Sequence, residues 1–199
     1  MTTIVLWRHS RTGFNTEGRL QGSLDIPLGD EGRAQARIAG QRIVDAWGTD
    51  LHIVSSPLAR ARDSAAELAN LAGVPVQVDE ALTQRSYGVW EGLTHQEVAS
   101  RWPEEYAAKQ RGEDPQIDGW GTSADVAARV GQCLRQLAKV EGGVVVVSHG
   151  SAIQLGLSHV LHVSPTQSPL GHVPHAAWSV VTPRPDGPWK LDAYGCGAL

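Results

Sequence analysis

Four stretches of the chain are short and largely apolar, 4–7, 52–55, 74–78 and 144–148, and three of them are almost unbroken in apolar residues. Runs of this length, bounded by polar and turn-forming residues, read as buried strands, and the near absence of polar alternation is what a parallel sheet covered on both faces requires. Between them the spacing becomes helical. Residues 32–47 bring Ala36, Ala39, Ile43, Val44 and Trp47 to one face. Residues 58–71 are rich in alanine and run into Gly73 and Pro75, both stop signals. Residues 124–140 read as a third helix, with Ser123 as N-cap and Gly142 and Gly143 as terminators, and 151–161 as a fourth that continues the last strand. Strand alternating with helix predicts an α/β fold, a three-layer α/β/α sandwich on a mostly parallel sheet. The C-terminal part differs: 178–182 and 189–194 flank a proline-rich turn and predict an antiparallel hairpin at one sheet edge. With no repeat or linker, the chain reads as one domain over 1–199. Residues 81–122 are expected to form a cap region over the site, and 100–122, with Gly112, Pro115, Gly119 and Gly121, its most mobile part.

Composition narrows the function classes. The chain has 199 residues and a net charge of −4, so it lacks the basic surplus of a nucleic-acid binder. The two cysteines, Cys133 and Cys196, make no disulfide framework and favour a reducing cytoplasm. The N-terminus enters a strand without the pattern of a signal peptide, and no apolar run reaches the length of a membrane span. A soluble monomer or homodimer is expected. The pairs His159/His162 and His172/His175 lack a nearby cysteine or carboxylate at ligand spacing, so neither a metal nor another cofactor is expected. Trp90, Trp102, Trp120 and Tyr87 either line a pocket or, the commoner use of such rings, pack together.

The chemistry is concentrated just after the first strand, in Arg8, His9, Ser10, Arg11, Thr12, Gly13, Phe14 and Asn15. An imidazole is a nucleophile, a guanidinium pairs bidentately with phosphate, and the carboxyl end of a strand in an open α/β sheet faces the ligand crevice. A short basic pair alone fits a surface loop equally well. Four further stretches, in chain order, shift the balance: Arg19, Leu20, Gln21, Gly22; then Ser56, Pro57, Leu58, Ala59, Arg60, Ala61; then Trp90, Glu91, Gly92; then Ser148, His149, Gly150. This series resembles the histidine phosphatase superfamily, the phosphoglycerate-mutase-like fold, over roughly residues 4 to 155. Two shorter stretches, 92–95 and 125–129, are similar to the glucosyl-3-phosphoglycerate phosphatases within it.

The resemblance implies a small phosphorylated substrate, a phosphohistidine on His9, charge stabilisation by His149, and phosphate forks from Arg8 and Arg60, with the dipole of the helix carrying Arg60 adding to the field. Asn15, Ser10, Arg19, Gln21, Gly22, Ser23, Gln84 and Gly150 are the candidate substrate-binding residues. For Asn15 a turn cap, for Arg19 a structural salt bridge, for Ser23 a turn, and for Gly22 a backbone requirement stand beside that role.

Three positions depart from the family pattern. Gln84 stands where a glutamate is expected to donate a proton to the leaving alkoxide, which an amide cannot do. Glu80 and Glu91 are the nearby carboxylates that could replace it. Ser10 stands where a glycine is usual, with strain as the consequence if φ is positive. Thr122 stands where another acid is usual, leaving the expected pocket less negative and suited to a more anionic substrate. The expected activity is therefore phosphomonoester hydrolysis, slow on poor leaving groups. A weakly active or non-catalytic phospholigand-binding protein is the alternative. A phosphoglycerate mutase fits less well, because the stretch from Gly92 to His149 is short and poor in basic residues.

Overall fold

The computed structural model describes residues 2–166 and 168–197. Strands β1 (Thr3–Arg8), β2 (Leu51–Ser55), β3 (Val76–Val78), β4 (Gly143–Ser148), β5 (Trp178–Thr182) and β6 (Lys190–Cys196) form one sheet in the order β3-β2-β4-β1-β5-β6. The first four are parallel, while β5 pairs antiparallel with both β1 and β6. The helices, in chain order, are α1 (Gly13–Thr16), α2 (Asp30–Trp47), α3 (Ala59–Ala72), α4 (His95–Arg101), α5 (Pro103–Gln110), α6 (Ser123–Leu137) and α7 (Gly150–Val160).

The apolar runs explain the layers. In β1 and β4, Ile4, Leu6, Val144 and Val146 point into one core with α6 and α7. Val5, Trp7, Val145 and Val147 point into the other with α2 and α3. Burial on both faces leaves these strands no room for polar alternation. The three-layer sandwich and the edge hairpin are both present, as the sequence predicts.

A third apolar cluster lies apart from the sheet. Leu20, Trp90 and Val98 are buried there, with Tyr87, Leu93, Trp102, Tyr106, Ile117 and Trp120 packed around them. The tryptophans meet edge-on or tilted; the Trp90 and Trp120 ring centroids are 5.4 Å apart. Packing is thus what the tryptophans do, whereas Tyr87 packs on Trp120 and also lines a pocket; most of these rings belong to the 81–122 segment. Asp114 fastens that segment to α6, accepting from Trp120 Nε1 at 3.0 Å and from the Ser123 amide at 2.7 Å.

Most boundaries shift by a residue or two from the sequence reading, and three of the differences show their cause. The N-cap of α6 is Thr122, whose hydroxyl accepts from the Asp125 amide, and Ser123 is the first helical residue. The helix ends at Leu137, not 140, because the Lys139 and Val140 amides tighten onto carbonyls three residues back. Strand β3 starts at Val76, not 74: the Val74 amide closes α3 by bonding Ala69 O, and Pro75 has no amide to give.

Candidate active site

Strand register brings the two motif histidines together. Parallel neighbours β1 and β4 pair Arg8 with Ser148, so the next residues on each strand, His9 and His149, leave the sheet side by side. Their ring centroids are 5.1 Å apart. The His9 Nδ1 donates to the Ser10 carbonyl at 2.7 Å, since a carbonyl can only accept. That fixes the tautomer and leaves Nε2 with its lone pair. Burial, then His149, then Arg60 and Arg8 hold the His9 pKa well below the ordinary histidine value. Burial, then Arg60 and Arg8 do the same to His149. Both rings are therefore neutral at neutral pH, as a nucleophilic nitrogen must be. β2 ends level with β4, and Ser56 just beyond it places its Oγ 2.8 Å from His149 Nε2. His149 Nδ1 is buried without a hydrogen-bond partner.

The two guanidiniums are pinned by backbone oxygens. Arg60, in the first turn of α3, donates Nη1 to Leu24 O at 2.6 Å and Nη2 to Gly22 O at 2.7 Å. Gly22 sits at φ +53°, and a Cβ there would lie 2.0 Å from Glu91 Oε1, so glycine is required for the loop to cradle Arg60. Arg8 donates Nη1 to Val173 O at 2.6 Å and to His172 Nε2 at 2.7 Å, and Nη2 to His175 Nε2 at 2.8 Å. Because His175 Nδ1 faces the His9 carbonyl at 3.3 Å, Nδ1 carries the proton and Nε2 accepts. A guanidinium can only donate, so His172 also accepts through Nε2. Burial lowers the pKa of both Arg8 and Arg60 to about 10. Burial and then Arg8 push His175 down to about 3.

Arg8, His9 and Arg60 open on one cleft of about 350 Å³, together with Asn15, Arg19, Gln21, Gly22 and Gln84. His149 is fully buried and does not line this cleft. The other candidates fall elsewhere. Ser23 is exposed, and its hydroxyl bonds Glu91. Ser10 is buried with its amide on Ser64 Oγ, and its φ is not positive, so the expected strain is absent. Gly150 opens α7 against Arg8, where a Cβ would come 3.3 Å from the guanidinium carbon. Asn15 also completes the capping box of α1, and Arg19 also pairs with Glu17 at 2.7 Å. The field of α3 is not free either, because Asp25 takes the Ala59 amide at its start. The first turn of α7 also reaches the cleft, through Ser151.

Neither carboxylate expected to stand in for Gln84 reaches the cleft. Glu91 is spent on the Ser23 and Tyr87 amides, each at 2.9 Å, and Glu80 is not among the lining residues. Thr122 is a helix cap.

The family model described as "Histidine phosphatase superfamily (branch 1)" matches residues 4–196. The chain belongs to this superfamily. It is 32% identical over 213 residues to glucosyl-3-phosphoglycerate phosphatase of Mycobacterium tuberculosis, covering 98% of this chain and 95% of the relative. It is 34% identical over 200 residues to a metal-independent phosphoserine phosphatase of Arabidopsis thaliana, covering 98% of this chain and 81% of the relative. The solved mycobacterial glucosyl-3-phosphoglycerate phosphatase with VO3 superposes with a TM-score of 0.89 at 31% identity, covering 98% of this chain and 99% of that one. Within this histidine phosphatase, sequence reasoning missed His172 and His175, which it weighed only as metal ligands. It also missed the roles of Ser56, Ser151 and Lys109, because no local pattern links them to residues far away in the chain.

Proposed function

We propose that the protein hydrolyses a small phosphomonoester through a phosphohistidine on His9. The observation that carries this reading is a buried, neutral His9 that opens on the same cleft as Arg8 and Arg60, with the His149 ring 5.1 Å away. His9 Nε2 attacks phosphorus, Arg8 and Arg60 hold the phosphoryl oxygens, and His149 steadies them from behind. Water then cleaves the phosphohistidine. Residues 81–122 cap this single domain and supply Gln84, Tyr87, His95 and Lys109 to the cleft.

The leaving group is anionic or rich in hydroxyls. Arg19 and Lys109 add positive charge to the cleft, and no Asp or Glu lines it among the described residues. The cleft runs into a second compartment of about 370 Å³, sharing Tyr87, Lys109, Ser151 and Gln154 and adding Arg85 and the Arg111–Glu113 ion pair. The named substrates of the relatives, a glucosyl-phosphoglycerate and phosphoserine, fit that description. No described helix is long and apolar enough to cross a membrane. Cys133 and Cys196 are both free thiols, which suits work in a reducing cytoplasm.

Rapid acid-free quenching with a ³²P-labelled ester tests the reading: an acid-labile, base-stable label on His9, absent from His9→Ala, is the expected result. Hydrolysis without any such label would overturn it. The missing acid at Gln84 favours one other reading, a phospholigand-binding protein; stoichiometric binding of a phosphate ester without turnover would select it.

A further inference from the structure

An alkyl phosphate cannot leave as a bare alkoxide, and among the described residues no carboxylate lines the cleft; Glu113, in the adjoining compartment, is held ionised by Arg111 at 2.8 Å. Gln84 keeps the family's place but has no acidic proton, and its Oε1 already accepts from the Arg85 amide at 3.0 Å. We infer that Tyr87 is the proton donor to the leaving group, through its phenolic hydroxyl, on the loop three residues after Gln84. This rests on the phosphatase reading above.

Three observations point to this ring. Tyr87 lines both the catalytic cleft and the adjoining compartment, so its ring stands where the phosphoryl end of a substrate meets the leaving group. Its hydroxyl lies 3.1 Å from Ser151 Oγ at the start of α7, a partner that accepts from the phenol and donates to the phenolate. The ring is also within electrostatic reach of Arg8, Arg60 and Arg85: burial lowers all three guanidinium pKa values, and a negative Tyr87 opposes that lowering in each. The phenolate left after proton transfer is thus met by positive charge and a hydroxyl donor.

The competing acids are less well placed. His172 presents its Nε2 lone pair to Arg8 and is itself held neutral by partial burial and then by Arg8. Lys109 is on the cap helix α5 beside His95, where it serves the leaving group's charge. Ser151 is a plain hydroxyl, too weak an acid without a second group behind it.

The step balances. As His9 Nε2 bonds to phosphorus, the P–O bond to the leaving group breaks, its electron pair stays on oxygen, and the Tyr87 proton moves to that oxygen to give an alcohol. In the second step the Tyr87 phenolate takes a proton from water as the water oxygen bonds to phosphorus and the N–P bond breaks. Inorganic phosphate departs with the phenol and the neutral imidazole restored.

The test is a leaving-group series, from p-nitrophenyl phosphate through phenyl phosphate to glycerol phosphate and phosphoserine, on wild type, Tyr87→Phe, Gln84→Glu, the double variant and Lys109→Met. General acid catalysis contributes about 10²–10⁴-fold. Tyr87→Phe is therefore expected to lower kcat/KM by about 10²-fold or more on the alkyl esters and by less than about threefold on p-nitrophenyl phosphate. Activity on that aryl ester also reports that the variant is folded. Adding Gln84→Glu to Tyr87→Phe should restore the alkyl rates. Equal losses on aryl and alkyl esters, no loss on either, or a leaving-group-dependent loss in Lys109→Met instead would overturn the assignment of Tyr87 and leave the phosphatase reading intact. Failure of the wild type to hydrolyse any ester would bring down the phosphatase reading itself, and this inference with it.

Discussion

His9 shows how much of the chemistry is set by single contacts. One carbonyl, that of Ser10, chooses the tautomer, and burial, then His149 and the Arg60 and Arg8 guanidiniums, keep the ring unprotonated. The same environment has a thermodynamic consequence. His9, His149 and His175 all have folded pKa values below the ordinary one, while the unfolded chain takes up protons near pH 6.5. Their contribution is fully present above that pH and is lost as pH falls. For His175, with its pKa of about 3, the loss is about 1.4 kcal/mol per pH unit below pH 6.5. Denaturant melts at pH 7, 6 and 5 should show stability falling with acid, with a slope shallower by about that amount in His175→Asn; an unchanged slope would count against the assigned environment. Gln84→Glu makes a second expectation at this scale. It should raise kcat/KM more on alkyl phosphates than on p-nitrophenyl phosphate, because a carboxylic acid is a stronger donor than a phenol, and equal gains would mean that residue 84 does not protonate the leaving oxygen. Some of this detail was legible in the chain and some was not. Arg8, His9, Arg60 and His149 announce themselves because each sits within or beside a short motif at the end of a strand or the start of a helix. His172 and His175 announce nothing, because what gives them a role is a guanidinium more than 160 positions away.

Secondary elements position these side chains through register and close approach. β1 and β4 were readable because a strand buried on both faces has few residue types to choose from. The ends of α6 and β3 were misread because a tight turn and a helix-closing amide are decided by hydrogen bonds that leave little trace in polarity. The contact of α6 with α7 was equally silent. It depends on two glycines: a Cβ on Gly156 would lie 2.3 Å from Val130 Cγ1, and one on Gly131 would lie 2.3 Å from His159 Cδ2. Helix propensity favours alanine over glycine by about 1 kcal/mol. Overpacking a fitted interface costs about 1–3 kcal/mol, and Val130 is a stiff β-branched neighbour. Gly156→Ala should therefore lower the thermal midpoint; a rise would show that the helices separate easily.

At the scale of the whole molecule, the groups proposed to handle phosphate come from the ends of β1 and β4 and the start of α3, with the Arg8 anchors His172 and His175 in the loop before β5, all gathered at the carboxyl ends of the parallel strands. A ligand bound there ties several elements to one another. Inorganic phosphate at about 100 times its Kd should stabilise the fold by about 2.7 kcal/mol. Arg60→Lys, which keeps the charge and loses the fork, should show a much smaller shift in a thermal melt with and without phosphate; an equal shift would place the anion elsewhere. The layered architecture was foreseeable from alternating patterns, but the aromatic cluster under the cap was not, since its members are scattered over roughly a hundred residues with no common period. That cluster shares no buried residue with the two cores of the sheet. Nature can accordingly retailor the roof while leaving the hearth in place: a cap grafted from a cousin with other tastes needs to fit its own tryptophans and a few anchor points and to bring an acid where Tyr87 stands, while the imidazoles and guanidiniums beneath carry on.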